Sequence, residues 1–195
     1  MAHVEPLLRS ELAEFEPVFA MIEGVVGFVP NSLLTLGRSP EILRAFGALS
    51  GAVLGSSRIA PELRQLVAFV ASTAAGCRYC QAHTSHGAER LGVSRDKLRD
   101  AFEFETSPLF DDAERAALRL ARDASILPNA TTAAHFEALR AHFDERQIVD
   151  LVAILSLFGW LNRWNDTLAT ALEAPAVEFG RETLAPVGWT VGKHA

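Results

Sequence analysis

The sequence predicts an all-α fold, and three observations carry that prediction. Apolar residues recur at helical spacing along almost every segment. No stretch alternates as a half-buried strand would. The connections are short and carry Gly, Pro, Asn or Asp, the residues that end helices and turn chains. At 195 residues the chain suits one domain, 1–195, with a substantial apolar interior.

The elements follow in order. "SELAEFEPVFAMIEGVVG" opens at Ser10 and places Leu12, Phe15, Phe19 and Ile22 on one side. A loop, "FVPNS", leads to a short "LLTLG". Ser39 followed by Pro40 is a helix start, because the proline fixes φ where no amide partner is needed. "APELRQLVAFVASTAAG" repeats that arrangement and runs into the cysteine-bearing stretch. Ser94 opens "SRDKLRDAFEF". Asp111 with Glu114, and Asp144 with Gln147, have capping-box spacing. Between them a helix begins near Thr131, and the helix after Asp144 runs about 25 residues. Residues 175–195, rich in Pro and Gly, read as a tail wrapped over a surface, with Trp189 as a subunit contact. Residues 1–34 form a helical extension. Residues 35–104 and 105–174 form two halves, with "PELRQLVAFVA" in one echoed by "DERQIVDLVAIL" in the other.

Composition narrows the function classes. The chain is 49% hydrophobic, a surplus that predicts buried surface between subunits and hence a homo-oligomer. Its net charge is −6, with no basic run, which argues against nucleic acid as a partner. Acidic residues near Met1 argue against a secretory leader. "VDLVAILSLFGWLN" falls short of the ~20 residues a membrane span needs, so the expected setting is cytoplasmic, with no membrane partner. In a reducing compartment a C-x-x-C pair reads as metal-binding or catalytic.

Both cysteines fall in "GCRYCQAHTSHG". On a helix, Cys77, Cys80 and His83 form one stripe, and Gly76 puts Cys77 near the helix N-terminus, where the dipole favours a thiolate. His83 lies one turn beyond Cys80, within reach of its proton. A dithiol beside a base suits thiol–disulfide exchange and peroxide reduction. Two plainer readings stand beside this one. The cysteines are small buried hydrophobes, or they bind zinc with His83 and His86. A structural zinc site wants four ligands, however, and no second Cys pair exists. His86, His135 and His142 read as surface residues. In "NRWND", Arg163 and Asp166 pair at i,i+3 in the plain reading; in the sharper one, Asn162 or Trp164 lines the thiol pocket.

"PELRQLVAFVASTAAGCRYCQAH" resembles the core motif of the alkylhydroperoxidase D (AhpD)-like, carboxymuconolactone decarboxylase superfamily. "LFGWLNRWNDTLAT" is similar to the second block of its peroxidase-related branch. The resemblance covers roughly residues 35 to 175. It implies an AhpD-like helical fold, homo-oligomers, and thiol-dependent peroxidase activity without haem, flavin or metal. The substrate would be an organic hydroperoxide and the electrons would come from a thiol or disulfide reductant. It also implies Cys80 as the attacking sulfur and Cys77 as the resolver. Two positions depart from the family pattern. Thr84 stands where the family commonly has histidine, with His83 just before it. Gln65 stands where the family carries a relay glutamate, and Glu62, one turn earlier, is the candidate substitute. The alternatives are a decarboxylase-type lyase, which in this superfamily normally lacks the cysteine pair, and a non-enzymatic redox-sensing oligomer.

Overall fold

A computed structural model describes residues 1–55 and 57–195. Among these residues there are ten α-helices and no strand. They are α1 (Glu16–Val26), α2 (Asn31–Leu36), α3 (Pro40–Ser50), α4 (Pro61–Ala74), α5 (Arg78–Arg90), α6 (Arg95–Arg99), α7 (Asp112–Ser125), α8 (Ala133–Arg140), α9 (Glu145–Leu168) and α10 (Ala174–Thr183). None is long and apolar enough to cross a membrane.

The centre of the fold is α4, which packs against α5, α7 and α9. Its run Leu66 to Ser72 is buried residue after residue, so all faces of this helix are covered rather than a single stripe. The capping boxes at Asp111 and Asp144 both form, each carboxylate taking the amide three residues on. A second, smaller core holds Leu12, Phe15, Phe19, Leu33, Leu36 and Leu43, with Ile22 against it.

Four expectations are corrected. The first helix does not begin at Ser10. Residues Arg9–Phe15 form a 3₁₀ turn, and α1 starts afresh at Glu16 because Pro17 can open a helix but not continue one. The segment 175–195, read as a tail, is largely helical. Pro175 sits in the first turn of α10, and two 3₁₀ turns, Ala185–Val187 and Gly192–His194, follow. Trp189 is buried within its own chain, its ring against Gly180, so it is not free to anchor a neighbour. His135 is buried as well. Its Nε2 lies 2.9 Å from the Asp123 carboxylate, and its Nδ1 accepts from the Thr132 amide at the start of α8.

Candidate active site

The site begins where α4 ends. Gly76 turns the chain at φ 78°, a left-handed backbone that side-chain-bearing residues resist. That turn makes Cys77 the N-cap of α5. The position normally holds an oxygen-bearing side chain that accepts a free helix amide. Here sulfur does so, with the Cys80 N–H donating to Cys77 Sγ at 3.4 Å.

The two thiols differ in charge preference although both are buried and reduced. The Cys80 thiol donates to Cys77 and holds the Cys77 thiol below the ordinary cysteine value, outweighing burial. Burial pushes the Cys80 thiol well up, and the neighbouring Cys77 adds to this. The pair titrates as a unit, with the first negative charge on Cys77. Cys80 Sγ receives one donor from α9, Asn165 Nδ2 at 3.6 Å. Leu161 and Leu172 pack against the pair.

His83, expected as the base for Cys80, is engaged elsewhere. Its Nε2 lies 2.6 Å from Glu173 Oε2, and its ring stacks on Tyr79. Glu173 also accepts from the Tyr79 hydroxyl at 2.9 Å and from the Asn31 amide. Burial works to raise the Glu173 carboxyl, but His83 and the Asn31 N–H outweigh it and keep the acid below its ordinary value. Gln65 lies against Gly87, and Glu62 is exposed. Gly87 is seven residues past Cys80, about 10 Å along the helix axis. The carboxylate beside His83 therefore comes from the start of α10 and not from α4.

Residues 185–195 cross the start of α5. The Trp189 indole N–H donates to the Arg78 carbonyl at 3.2 Å. Lys193 Nζ lies 2.9 Å from Asp166 Oδ2. Asp166, Cys77 and His194 present a carboxylate oxygen, a sulfur and a ring nitrogen that all lie within 4.8 Å of one another. The expected Arg163–Asp166 pair gives way to these contacts. A cleft of about 910 Å³ reaches this point, lined by Ala74, Ala75, Asn162, Asp166 and Thr167 among others. Asn162 is buried there with neither amide atom paired, but neither cysteine lines this cleft. Trp164 instead stacks on Trp160, 5.2 Å between ring centres, beside the smaller core.

Glu173, Asn165, Asp166 and His194 join the site from far along the chain. Only the polar "NRWND" inside an apolar helix marked any of them in the sequence.

The chain is similar to known proteins in sequence and in fold. The model of the Carboxymuconolactone decarboxylase family matches residues 40–123, which include both cysteines and His83. The uncharacterized protein YnjA of Escherichia coli K12 is 36% identical over 121 residues, 62% of this chain. That match spans 64% of YnjA, just under two thirds of its length. The crystal structure of the debrominase Bmp8 superposes with a TM-score of 0.86 at 39% identity, covering 92% of this chain and 97% of that one. A cysteine-to-alanine variant of Bmp8 in complex with 2,3,4-tribromopyrrole gives the same TM-score. An uncharacterized peroxidase-related protein with an alkylhydroperoxidase AhpD core, from Ralstonia eutropha JMP134, is 26% identical. It superposes with a TM-score of 0.73, covering 87% of this chain and 90% of that one.

Proposed function

The chain belongs to the AhpD-like, carboxymuconolactone decarboxylase superfamily, and from that premise and the geometry at the start of α5 we propose that it is a thiol-dependent peroxidase. One observation carries the reading: Cys77 caps α5 while accepting from both the amide and the thiol of Cys80. A thiolate is stabilised beside its own resolving partner, with no large movement needed to bond them. Cys77 attacks the outer oxygen of a hydroperoxide, the O–O bond breaks, and the alkoxide leaves as the alcohol after taking a proton. Cys80 then attacks the sulfenic sulfur, water leaves, and a disulfide remains. A hydroperoxide and two thiols thus become an alcohol, water and a disulfide. An external dithiol restores the pair.

This assignment reverses the roles that the family resemblance implied for the two sulfurs. The reason is electrostatic. The base expected to activate Cys80 is bonded to Glu173, and burial keeps the Cys80 proton on.

A second reading has its own support in the 39% identity to the debrominase over 97% of that chain. The same dithiol could reduce a carbon–halogen bond. The thiolate takes the halogen, the carbon takes a proton, and Cys80 displaces halide to give the disulfide. The deciding assay offers the reduced protein cumene hydroperoxide and, separately, a brominated pyrrole. Consumption of the peroxide with a dithiol reductant, lost in Cys77→Ser, is the expected result. Bromide release without peroxide turnover would move the assignment to the second reading. Turnover of neither would leave redox sensing. We also propose that the chain self-associates. Val149, Val152 and Trp160 form an exposed apolar stripe along α9 at helical spacing, next to the cleft.

A further inference from the structure

The geometry points to His194 as the proton acceptor of Cys77, with Asp166 and Lys193 holding it over the sulfur. This deepens the proposed thiol chemistry and rests on it only in taking Cys77 as the reactive sulfur. None of the residues quoted for the family resemblance includes His194, and the family match ends at residue 123.

The tautomer follows from the hydrogen bonds. His194 Nδ1 lies 2.8 Å from the Thr170 carbonyl, which can only accept, so Nδ1 carries the hydrogen. Nε2 then presents its lone pair. His194 is 1% exposed, and this nitrogen is buried with no hydrogen-bond partner. Such an orphan is costly unless it has a task. A ring nitrogen of His194 lies within 4.8 Å of Cys77 Sγ and of an Asp166 oxygen, and Nε2 itself is 3.7 Å from Asp166 Oδ1, beyond hydrogen-bond length. Burial holds the imidazole below the ordinary histidine value, so it is neutral and receptive while Cys77 keeps its proton. Catalytic contacts commonly sit this long in an unliganded site and close when substrate binds.

The surrounding charges have separable roles. The Asp166 carboxylate raises the Cys77 thiol and raises His194, so its two effects on transfer between them oppose each other. It acts as a positioning residue, clamping Lys193 and thereby the 3₁₀ turn that carries His194. The Arg78 side chain lies against Gly192 of the same turn, and the buried Tyr79 ring lies 5.9 Å from His194. In the reaction, the Cys77 S–H proton moves to His194 Nε2, leaving a thiolate–imidazolium pair. The thiolate attacks, and the imidazolium returns the proton to the leaving alkoxide. Nothing is consumed beyond the peroxide and the dithiol.

The same three atoms could be read as metal ligands. The Lys193 ammonium on the other oxygen of Asp166 argues against a divalent cation there and does not hinder proton transfer.

The test reads the thiolate directly, without requiring turnover. In a Cys80→Ser background only one thiol remains, and thiolate absorbance near 240 nm reports its titration without any reagent having to enter the buried site. His194→Asn keeps a donor for the Thr170 carbonyl and removes the proton acceptor. The expected result is a rise of about one unit or more in the Cys77 midpoint, the scale on which an opposite charge at this range moves a thiol. An unchanged midpoint overturns the assignment. Histidine NMR supplies a second reading should the Asn variant unfold: in the Cys80→Ser protein the His194 ring resonances should shift in a step at the Cys77 midpoint, and Cys77→Ser should abolish that step. His194 resonances indifferent to Cys77 overturn the assignment too. Stoichiometric zinc binding lost in both His194→Asn and Asp166→Asn would make the cluster a metal site and overturn it. If the Cys77 midpoint shifts but no peroxide is consumed, the proton acceptor stands and the peroxidase reading falls.

Discussion

His83 Nε2 and Glu173 Oε2 lie 2.6 Å apart, joining α5 to the start of α10, with side chains only 14% and 10% exposed. The pair supplies a carboxylate–imidazole contact although Gln65 on α4 cannot. It also fixes α10, and with it the segment that delivers His194.

A pH dependence of stability follows. The Glu173 carboxyl sits below its ordinary value in the folded chain. Its contribution is therefore complete above the unfolded carboxylate range and fades as pH falls through the folded value. Glu173→Gln should cost about 2 kcal/mol near neutrality, the scale of a hydrogen bond to a charged group. It should also flatten the acid limb of the stability curve. Denaturant unfolding at several pH values checks both. A variant whose stability falls with acid as steeply as the parent's would show that another group governs that limb.

The elements with local causes were legible in the sequence. Asp111 and Asp144 cap because the residue three further on can answer them, and Cys77 starts α5 because Gly76 breaks α4. What was not legible came from distance. Glu173 and His194 sit in stretches without periodicity or motif, and only the folded chain brings them to Cys77 and His83. The same holds for Trp189. An aromatic in a Pro- and Gly-rich stretch looks like an external anchor until Gly180 is seen to leave room for its ring. His135 misled for a related reason, since its partner Asp123 lies on the preceding helix.

The two sulfurs should behave differently in a single turnover. Cys80→Ser should consume about one equivalent of peroxide and leave a sulfenic acid at Cys77 that a dimedone-type probe traps and mass spectrometry locates. Cys77→Ser should react at least about tenfold more slowly, because burial holds the Cys80 proton on and a single pKa unit changes thiolate tenfold. Rapid labelling of Cys80 in Cys77→Ser would restore the roles implied by the family resemblance.

Self-association through α9 is open to charge. Val149→Lys with Val152→Lys places two ammonium groups on the exposed stripe and leaves the buried face of the helix untouched. Light scattering should give the parent a mass above the 21.2 kDa of one chain, and the double variant a mass near it. A parent that is monomeric at tens of micromolar would remove this face from consideration.

Gly180 offers a way to disturb the site without touching it. A Cβ built there would come within 2.7 Å of the Trp189 ring, a distance real contacts do not sustain. Gly180→Ala must therefore displace either α10 or the indole, and overpacking of this kind costs about 1–3 kcal/mol. The indole is the easier to move, since its polar tether is a single N–H bond to the Arg78 carbonyl. Once it swings out, the 3₁₀ turn that begins three residues further on loses its anchor over α5, and Cys77 loses part of its cover. Gly180→Ala should thus lower the thermal midpoint, shift tryptophan fluorescence to the red and speed maleimide labelling of Cys77. The atoms in conflict belong to the six-membered ring of the indole, so Trp189→Phe, which has a smaller side chain, should relieve the clash. The double variant should then recover stability relative to Gly180→Ala alone. Additive losses in the double variant would mean that Gly180 matters to α10 itself and that Trp189 does not couple it to the thiols.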